Sequence, residues 1–308
     1  MKRIIIDTDP GIDDALAILF ALGLPGVSVE GLTTVSGNVP VEQGTHNALT
    51  ILEAVGRTDI PVAKGAAYPL RRRLITAEEV HGENGLAGLN LPQPSSKVHD
   101  LSAVEWLRHK LRTSLEPITI VAIGPLTNLG MLYCLDPEAF AKIEEIVFMG
   151  GAAFCSGNTT SAAEFNILVD PDAARHVVQS GVPLTMVGLD VTQKATLFAE
   201  DLARFEGQDS PLASFARRLL EATFAKRTGK IELGGIHLHD PLAVGVAVNP
   251  EIVQSKRYYL AVETEGEVAV GQTVVDDRPW SKNEPNATVA VDVDRERFLN
   301  WFLDVLTH

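Results

Sequence analysis

The chemically densest stretch of the 308-residue chain is Asp7-Thr8-Asp9-Pro10-Gly11-Ile12-Asp13-Asp14, with four carboxylates within eight residues. It follows the apolar run Ile4-Ile5-Ile6. The acids are therefore expected at the carboxyl end of a first strand and in the first turn of the next helix. Pro10-Gly11 fits the centre of a type II turn, with positive φ at Gly11, which would fold Asp9 back toward Asp13 and Asp14. A helix N-terminus stabilises each acid by about 0.3–1 kcal/mol. Two carboxylates about 4 Å apart repel by about 4 kcal/mol at an effective dielectric constant of about 20. Repulsion wins unless a proton or a metal ion intervenes. An all-oxygen donor set without cysteine favours Ca²⁺ or Mg²⁺ over zinc. A dinucleotide site would place glycines where these acids stand, because carboxylates repel a pyrophosphate.

Weaker candidates occupy equivalent places further along. Gly37-Asn38 follows a second apolar run, and Gly124-Pro125-Leu126-Thr127-Asn128 follows one that ends at Ile123. Met149-Gly150-Gly151 leads through Gly157-Asn158 to Glu164-Phe165-Asn166, and His237-Leu238-His239-Asp240 opens a late apolar segment. Each alone reads as a turn, a cap or a packed residue. Together they place amides, acids and imidazoles around one crevice, which suits a polyhydroxylated ligand better than an anion.

The elements that must position these residues follow from the hydrophobic pattern. Continuous apolar runs predict strands over 3–8, 29–35, 118–123, 145–149 and 183–189. Helical spacing predicts helices near 13–22, 41–55, 102–111, 126–135 and 171–180. Apolar strands alternating with helices indicate a parallel sheet covered on both faces, with ligands at the carboxyl ends of its strands. In the last third, 202–227 and 239–248 are expected as helices. Segments 258–264 and 267–275, joined at Glu265-Gly266, are expected as a hairpin, followed by a strand over 287–293 and a helix over 294–306. The expected fold is α/β: an open, mostly parallel sheet covered by helices on both faces, with a C-terminal antiparallel hairpin, spanning 1–308 as a single domain.

Composition narrows the partners. Lys and Arg number 26 against 40 Asp and Glu, a formal charge of −14. That field repels phosphate backbones and anionic lipid, so neither nucleic acid nor membrane is an expected partner. With 45% hydrophobic and 21% charged residues the chain is globular rather than disordered. No apolar run approaches the roughly 20 residues of a membrane span, and no leader pattern precedes the first strand. Cys134 and Cys155 have no CxxC spacing and are expected as two packed thiols in a reducing compartment, which points to the cytoplasm. Arg71-Arg72-Arg73 is expected as a solvated face.

In order along the chain, the motifs resemble the inosine–uridine preferring nucleoside hydrolase family. The residues carrying the resemblance are Asp7 to Ala15, Thr33-Thr34-Val35-Ser36-Gly37-Asn38, Gly124-Pro125-Leu126-Thr127-Asn128 and Met149-Gly150-Gly151. It continues with Ala163-Glu164-Phe165-Asn166, Met186-Val187-Gly188-Leu189-Asp190-Val191-Thr192 and His239-Asp240-Pro241, about four-fifths of the chain in all. The resemblance implies Ca²⁺-dependent hydrolysis of the N-glycosidic bond of ribonucleosides to ribose and free base. It implies Asp9, both oxygens of Asp14, the carbonyl of Ile123 and Asp240 as calcium ligands, with a water and two ribose hydroxyls completing the shell. Asp9 would also take a proton from the metal-bound water. Asp13, Asn38, Asn158, Glu164 and Asn166 would hold the sugar, with Met149 and His81 also contacting substrate, and His239 would assist departure of the base. A homo-oligomer, dimer or tetramer, is implied as well.

The chemistry accords with these roles. Cleaving a ribosyl C–N bond makes an oxocarbenium-like sugar, which the carboxylates of Asp13, Glu164 and Asp240 would stabilise. Segment 223–236 carries Phe224 as its one aromatic residue, beside Lys226, Arg227 and Lys230, where some purine-accepting members of the family carry tyrosines. A pyrimidine or mixed preference is therefore expected. His237 is expected as a packed or surface residue. Two other readings remain open at this point: a HAD-like aspartyl-phosphate phosphatase using Asp7 and Asp9, and a non-catalytic calcium or sugar binder. Phosphorolysis is disfavoured by the lack of a basic oxyanion cradle.

Overall fold

The first apolar run forms β1 (Lys2–Thr8) at the centre of the molecule, in a computed structural model that describes residues 1–227 and 234–308. β2 (Val27–Thr34) and β3 (Val62–Lys64) extend the sheet on one side. β4 (Ile118–Ala122), β5 (Ile143–Met149) and β6 (Leu184–Val187) extend it on the other. These six strands are parallel, in the order β3-β2-β1-β4-β5-β6. The chain moves outward from β1 to β2 and β3, then returns to place β4 on β1's opposite edge. The reversal opens a crevice at the carboxyl ends of β1 and β4, where open α/β sheets take ligands.

Alternation along β1 sends Ile4 and Ile6 to one face and Ile5 to the other, so both faces acquire a core. On the first face pack the helices Ile12–Gly23, His239–Val248 and Arg295–Thr307. On the second pack Ala103–Thr113, Thr127–Leu135 and Pro171–Val178. Ser102 caps the first of these, accepting from the Glu105 N–H while Glu105 reaches back to Ser102.

Two short strands, β7 (Thr196–Phe198) and β8 (Gly235–His237), pair antiparallel apart from the main sheet. Within the main sheet, β9 (Val253–Val262), β10 (Thr273–Asp276) and β11 (Ala287–Val293) complete the edge. β11 runs parallel to β6, while β9 is antiparallel to both β11 and β10.

The C-terminal hairpin is present, yet its turn is longer than the sequence pattern predicts. Segment 267–272 is not strand: Val270 N–H reaches Gly266 O at 3.1 Å, and Gly271 has φ +80°. A Cβ at Gly271 would lie 2.9 Å from Leu168 Cα, so this turn is shaped by packing rather than by alternation. The predicted helix over 202–227 is broken: a 3₁₀ segment, Ala199–Phe205, precedes the helix Pro211–Arg227. The cysteines are also placed differently from expectation. Both are free and exposed rather than packed. Arg71 and Arg72 do not simply face solvent, since both pair with Asp172 at 3.3 Å.

Candidate active site

The acidic motif bends sharply at the end of β1. Asp7, Thr8, Asp9 and Asp14 are all fully buried. The bend is not the predicted type II turn, because Gly11 has φ −99° and caps the following helix in an extended conformation. Glycine is needed there for closeness: a Cβ would sit 2.5 Å from His81 Nδ1 and 2.9 Å from Asn38 Nδ2. Asn47 secures the bend from outside, donating its amide to Pro10 O at 2.9 Å and to Asn84 O at 2.8 Å.

Asp14 accepts from Thr8 Oγ1 (2.6 Å), Asp9 N–H (3.2 Å), Gly11 N–H (3.0 Å) and Asn38 Nδ2 (2.9 Å). Even so, burial and then the neighbouring Asp13 push its carboxyl above the usual range. Asp9 Oδ2 accepts from Asn38 N–H at 2.5 Å, whereas Asp9 Oδ1 is buried without a hydrogen-bond partner. Burial, followed by the charge of Asp14, raises Asp9 strongly. Asp240 is raised too, first by burial and then by Asp13, Asp14 and Asp9. Behind them Asp7 is pushed up to about 6 by burial, against hydrogen bonds from Thr33 and Asn128.

Oxygens of Asp13, Asp14 and Asp240 lie within 4.8 Å of one another. No ion pair with a Lys or Arg among the described residues relieves Asp9, Asp14 or Asp240; Asp13 lies 4.0 Å from His81 Nδ1. Glycine also walls the buried acid. A Cβ at Gly37 would fall 2.0 Å from Asp9 Oδ2, and one at Gly124 would fall 2.6 Å from Asp9 Oδ1. A close-fitted, all-oxygen nest with an orphaned buried carboxylate oxygen fits a hard divalent cation. Asp9 stands beside the tightest trio rather than within it.

Above the acids opens a cavity of about 270 Å³. Its lining includes Asp13, Asn38, His81, Ile123, Met149, Asn158, Glu164, Asn166, His239 and Asp240, so the structure gathers ten of the predicted site residues at one place. Asp9 and Asp14 lie buried behind that lining. His81 Nδ1 accepts from Ile12 N–H at 3.0 Å, which puts the ring proton on Nε2 in the neutral tautomer. Glu164 accepts from the N–H groups of Gly151 (2.9 Å), Asn166 (2.9 Å) and Ile167 (3.3 Å), yet burial raises it to about 7. Asn166 Nδ2 donates to Ile123 O at 3.0 Å and Met149 O at 3.2 Å, tying the ends of β4 and β5 together.

Several residues here escape sequence reasoning. Ala77, Val80, Thr159, Phe165 and Ile236 line the cavity, carried by loops or by helical and strand segments too short to show a periodic pattern. His237 also lines it, contrary to the expected packed or surface placement, because β8 lays it beside His239 with ring centroids 5.4 Å apart. No Lys or Arg among the described residues lines the cavity, which disfavours a phosphate ester. Within the 223–236 segment, residues 228–233, Lys230 among them, lie outside the described residues.

The chain matches the model of the inosine-uridine preferring nucleoside hydrolase family over residues 4–300. A pyrimidine-specific ribonucleoside hydrolase, RihA, from Escherichia coli K12 is 45% identical over 304 residues, covering 98% of this chain and 97% of its own. Among solved structures, the plant nucleoside hydrolase PpNRh1 superposes with a TM-score of 0.92 at 36% identity, covering 99% of both chains. A purine-preferring ribonucleoside hydrolase from Gardnerella vaginalis gives 0.92 at 35% identity, over 99% of this chain and 98% of that one.

Proposed function

The chain belongs to the inosine-uridine preferring nucleoside hydrolase family, and from that premise we propose the roles of its residues and its preferred base. It is a ribonucleoside hydrolase, acting on N-glycosyl bonds, and its family is metal-dependent. Our reading assigns Ca²⁺ to the acidic nest, held by Asp9, Asp14, the Ile123 carbonyl and Asp240. Oxygen-only donors and flexible Asp side chains support calcium. When bound, the ion supplies positive charge that offsets the clustered acids and acidifies the attacking water.

The remaining chemistry falls to the side chains. Asp13, Asn38, Asn158, Glu164 and Asn166 bind the ribose hydroxyls and fix the sugar over the acids, with Met149 and His81 against it. Asp9 takes a proton from the water whose oxygen attacks C1′. The C1′–N bond breaks, its electron pair goes to the base nitrogen, and His239 delivers a proton to the departing base. As positive charge grows on the sugar, the carboxylates of Asp13, Glu164 and Asp240 stabilise it. Acid and base groups of this kind each contribute about 10²–10⁴ in rate.

We assign a pyrimidine preference. The RihA relative supports it, as does the lack of tyrosine in 223–236. The whole chain is read as one functional domain. Unpaired Cys134 and Cys155 support a reducing, cytoplasmic location. Phe154, Val274 and Trp280, all exposed, support a homo-oligomer, a dimer or tetramer, which sedimentation velocity measures directly.

The observation that carries the reading is the sugar-sized cavity, where acids, amides and histidines converge, set above buried acids that no Lys or Arg among the described residues neutralises. Release of base from uridine, inosine and 2′-deoxyuridine, followed by absorbance, tests it. Uridine is expected to outrun inosine, and loss of the 2′-hydroxyl to cost about 10⁴–10⁵ in kcat/KM. Chelation is expected to abolish turnover and Ca²⁺ to restore it; turnover that survives exhaustive chelation overturns the metal assignment.

A further inference from the structure

We propose that Thr192 is the positioning residue that orients His239 for its work at the departing base, an inference that rests on the role assigned to His239 above. Thr192 ends the short helix Leu189–Thr192, just after β6, and is fully buried. Its Oγ1 lies 2.7 Å from His239 Nδ1. The two segments are clamped together next to that contact. Leu238 N–H donates to Ala195 O at 2.7 Å, and Thr196 pairs with His237 in the β7–β8 register.

The arrangement is repeated one step along. Thr196 Oγ1 lies 3.0 Å from His237 Nδ1, so two threonines four residues apart each face the Nδ1 of one histidine. Only the Thr192 hydroxyl is fully buried; Thr196 is half-buried. A buried hydroxyl gains much from keeping its partner, and this one holds the imidazole against rotation about its side-chain torsions. By engaging Nδ1 it also makes the two ring nitrogens unlike. A hydroxyl both donates and accepts, so the contact persists whichever nitrogen carries the proton.

The same helix turn holds a second wall. Asp190 accepts from the N–H groups of Ala153 and Phe154, each at 2.8 Å, and so anchors the loop that runs on to Asn158. One short element thus sets both the histidine and the loop facing it. Displacing a reacting group by about 1 Å costs up to about 10²-fold in rate.

The test compares Thr192→Val, Thr192→Ser, His239→Ala and the Thr192→Val/His239→Ala pair on two substrates. On the role assigned to His239, uracil departs protonated; 4-nitrophenyl β-ribofuranoside has a leaving group that departs as a stable anion. On uridine, Thr192→Val is expected to lower kcat by about 10–100-fold with KM within about twofold. Thr192→Ser is expected to restore it, and the double variant to be no slower than His239→Ala alone. On the nitrophenyl riboside Thr192→Val and Thr192→Ser are expected to turn over like the parent enzyme, and His239→Ala to lose far less than it loses on uridine. Should valine not be accommodated, Thr192→Ala makes the same comparison. The inference is overturned if His239→Ala slows uridine while Thr192→Val does not. It is equally overturned if Thr192→Val slows both substrates alike, or if the two substitutions multiply. Unchanged uridine turnover in His239→Ala instead removes the role of His239 itself, and the inference with it.

Discussion

Two acidic constellations in this chain are handled in opposite ways. At the start of the helix Pro137–Phe140, Asp136 is 5% exposed and meets Arg108 Nε at 2.7 Å and Arg112 Nε at 2.6 Å. Those guanidiniums hold its carboxyl well below the usual range. Glu30 is treated likewise, drawn down to about 2 chiefly by Arg3, with Lys110 2.8 Å away. At the end of β1, Asp9, Asp14 and Asp240 are more deeply buried, form no ion pair with a Lys or Arg among the described residues, and are all pushed upward. Where the sequence supplies the counter-charge, a carboxylate ties elements together. Where none stands among the described residues, the clustered carboxylates could hold a cation from outside the chain.

The largest test of that contrast is catalytic. Asp9→Ala is expected to lower kcat on uridine by about 10²–10⁴, since on the proposed assignment it removes a base and an ion ligand together. Asp136→Asn is expected to leave kcat unchanged; equal losses at both sites would break the contrast. Next in size is a change of sign. Without divalent ion, Asp240→Asn is expected to raise the melting temperature, relieving repulsion worth up to about 4 kcal/mol. With ion present the same substitution is expected to lower it, and calorimetry with and without chelator reads both directions.

A third test uses pH. Glu164 stands near 7 in the folded chain because burial penalises its charge. The folded state therefore holds its proton longer than the unfolded chain, whose glutamates titrate at about 4.3. The associated stability is complete below that value and is lost as pH rises through about 7, a swing of roughly 4 kcal/mol. Metal-free protein is thus expected to melt lower at about pH 8 than at about pH 5, with Glu164→Gln flattening the slope. The smallest effect belongs to Asp136→Asn, which is expected to lower the melting temperature slightly at neutral pH. Asp136 has a lowered folded value, so its contribution is present above the unfolded value of about 3.9 and fades as the solution is acidified through the folded one.

Much of the architecture was legible because buried parallel strands advertise themselves as unbroken β-branched runs. The runs 118–123 and 145–149 correspond to β4 and β5, and the predicted strand over 287–293 coincides with β11. β3, β7 and β8 have three residues each, too few for a period to register. The acids could be read as a cluster since they are adjacent in sequence and their mutual repulsion demands an explanation. His237 and Thr192 could not be read from spacing: each acquires its position from a contact made across more than forty residues, through pairing that no local pattern encodes. Gly11 departs from the turn its local sequence suggests for a related reason, because the pressure on it comes from His81 and Asn38, both distant in sequence.

The glycines flanking Asp9 bear on how mutational data for this enzyme should be interpreted. Neither Gly37 nor Gly124 has positive φ, so alanine at either place suffers no torsional penalty. What it meets is the carboxylate. A saturation screen would score both positions as severely as the acid, although neither carries a group able to react; a hydrogen atom is simply the largest substituent for which there is room.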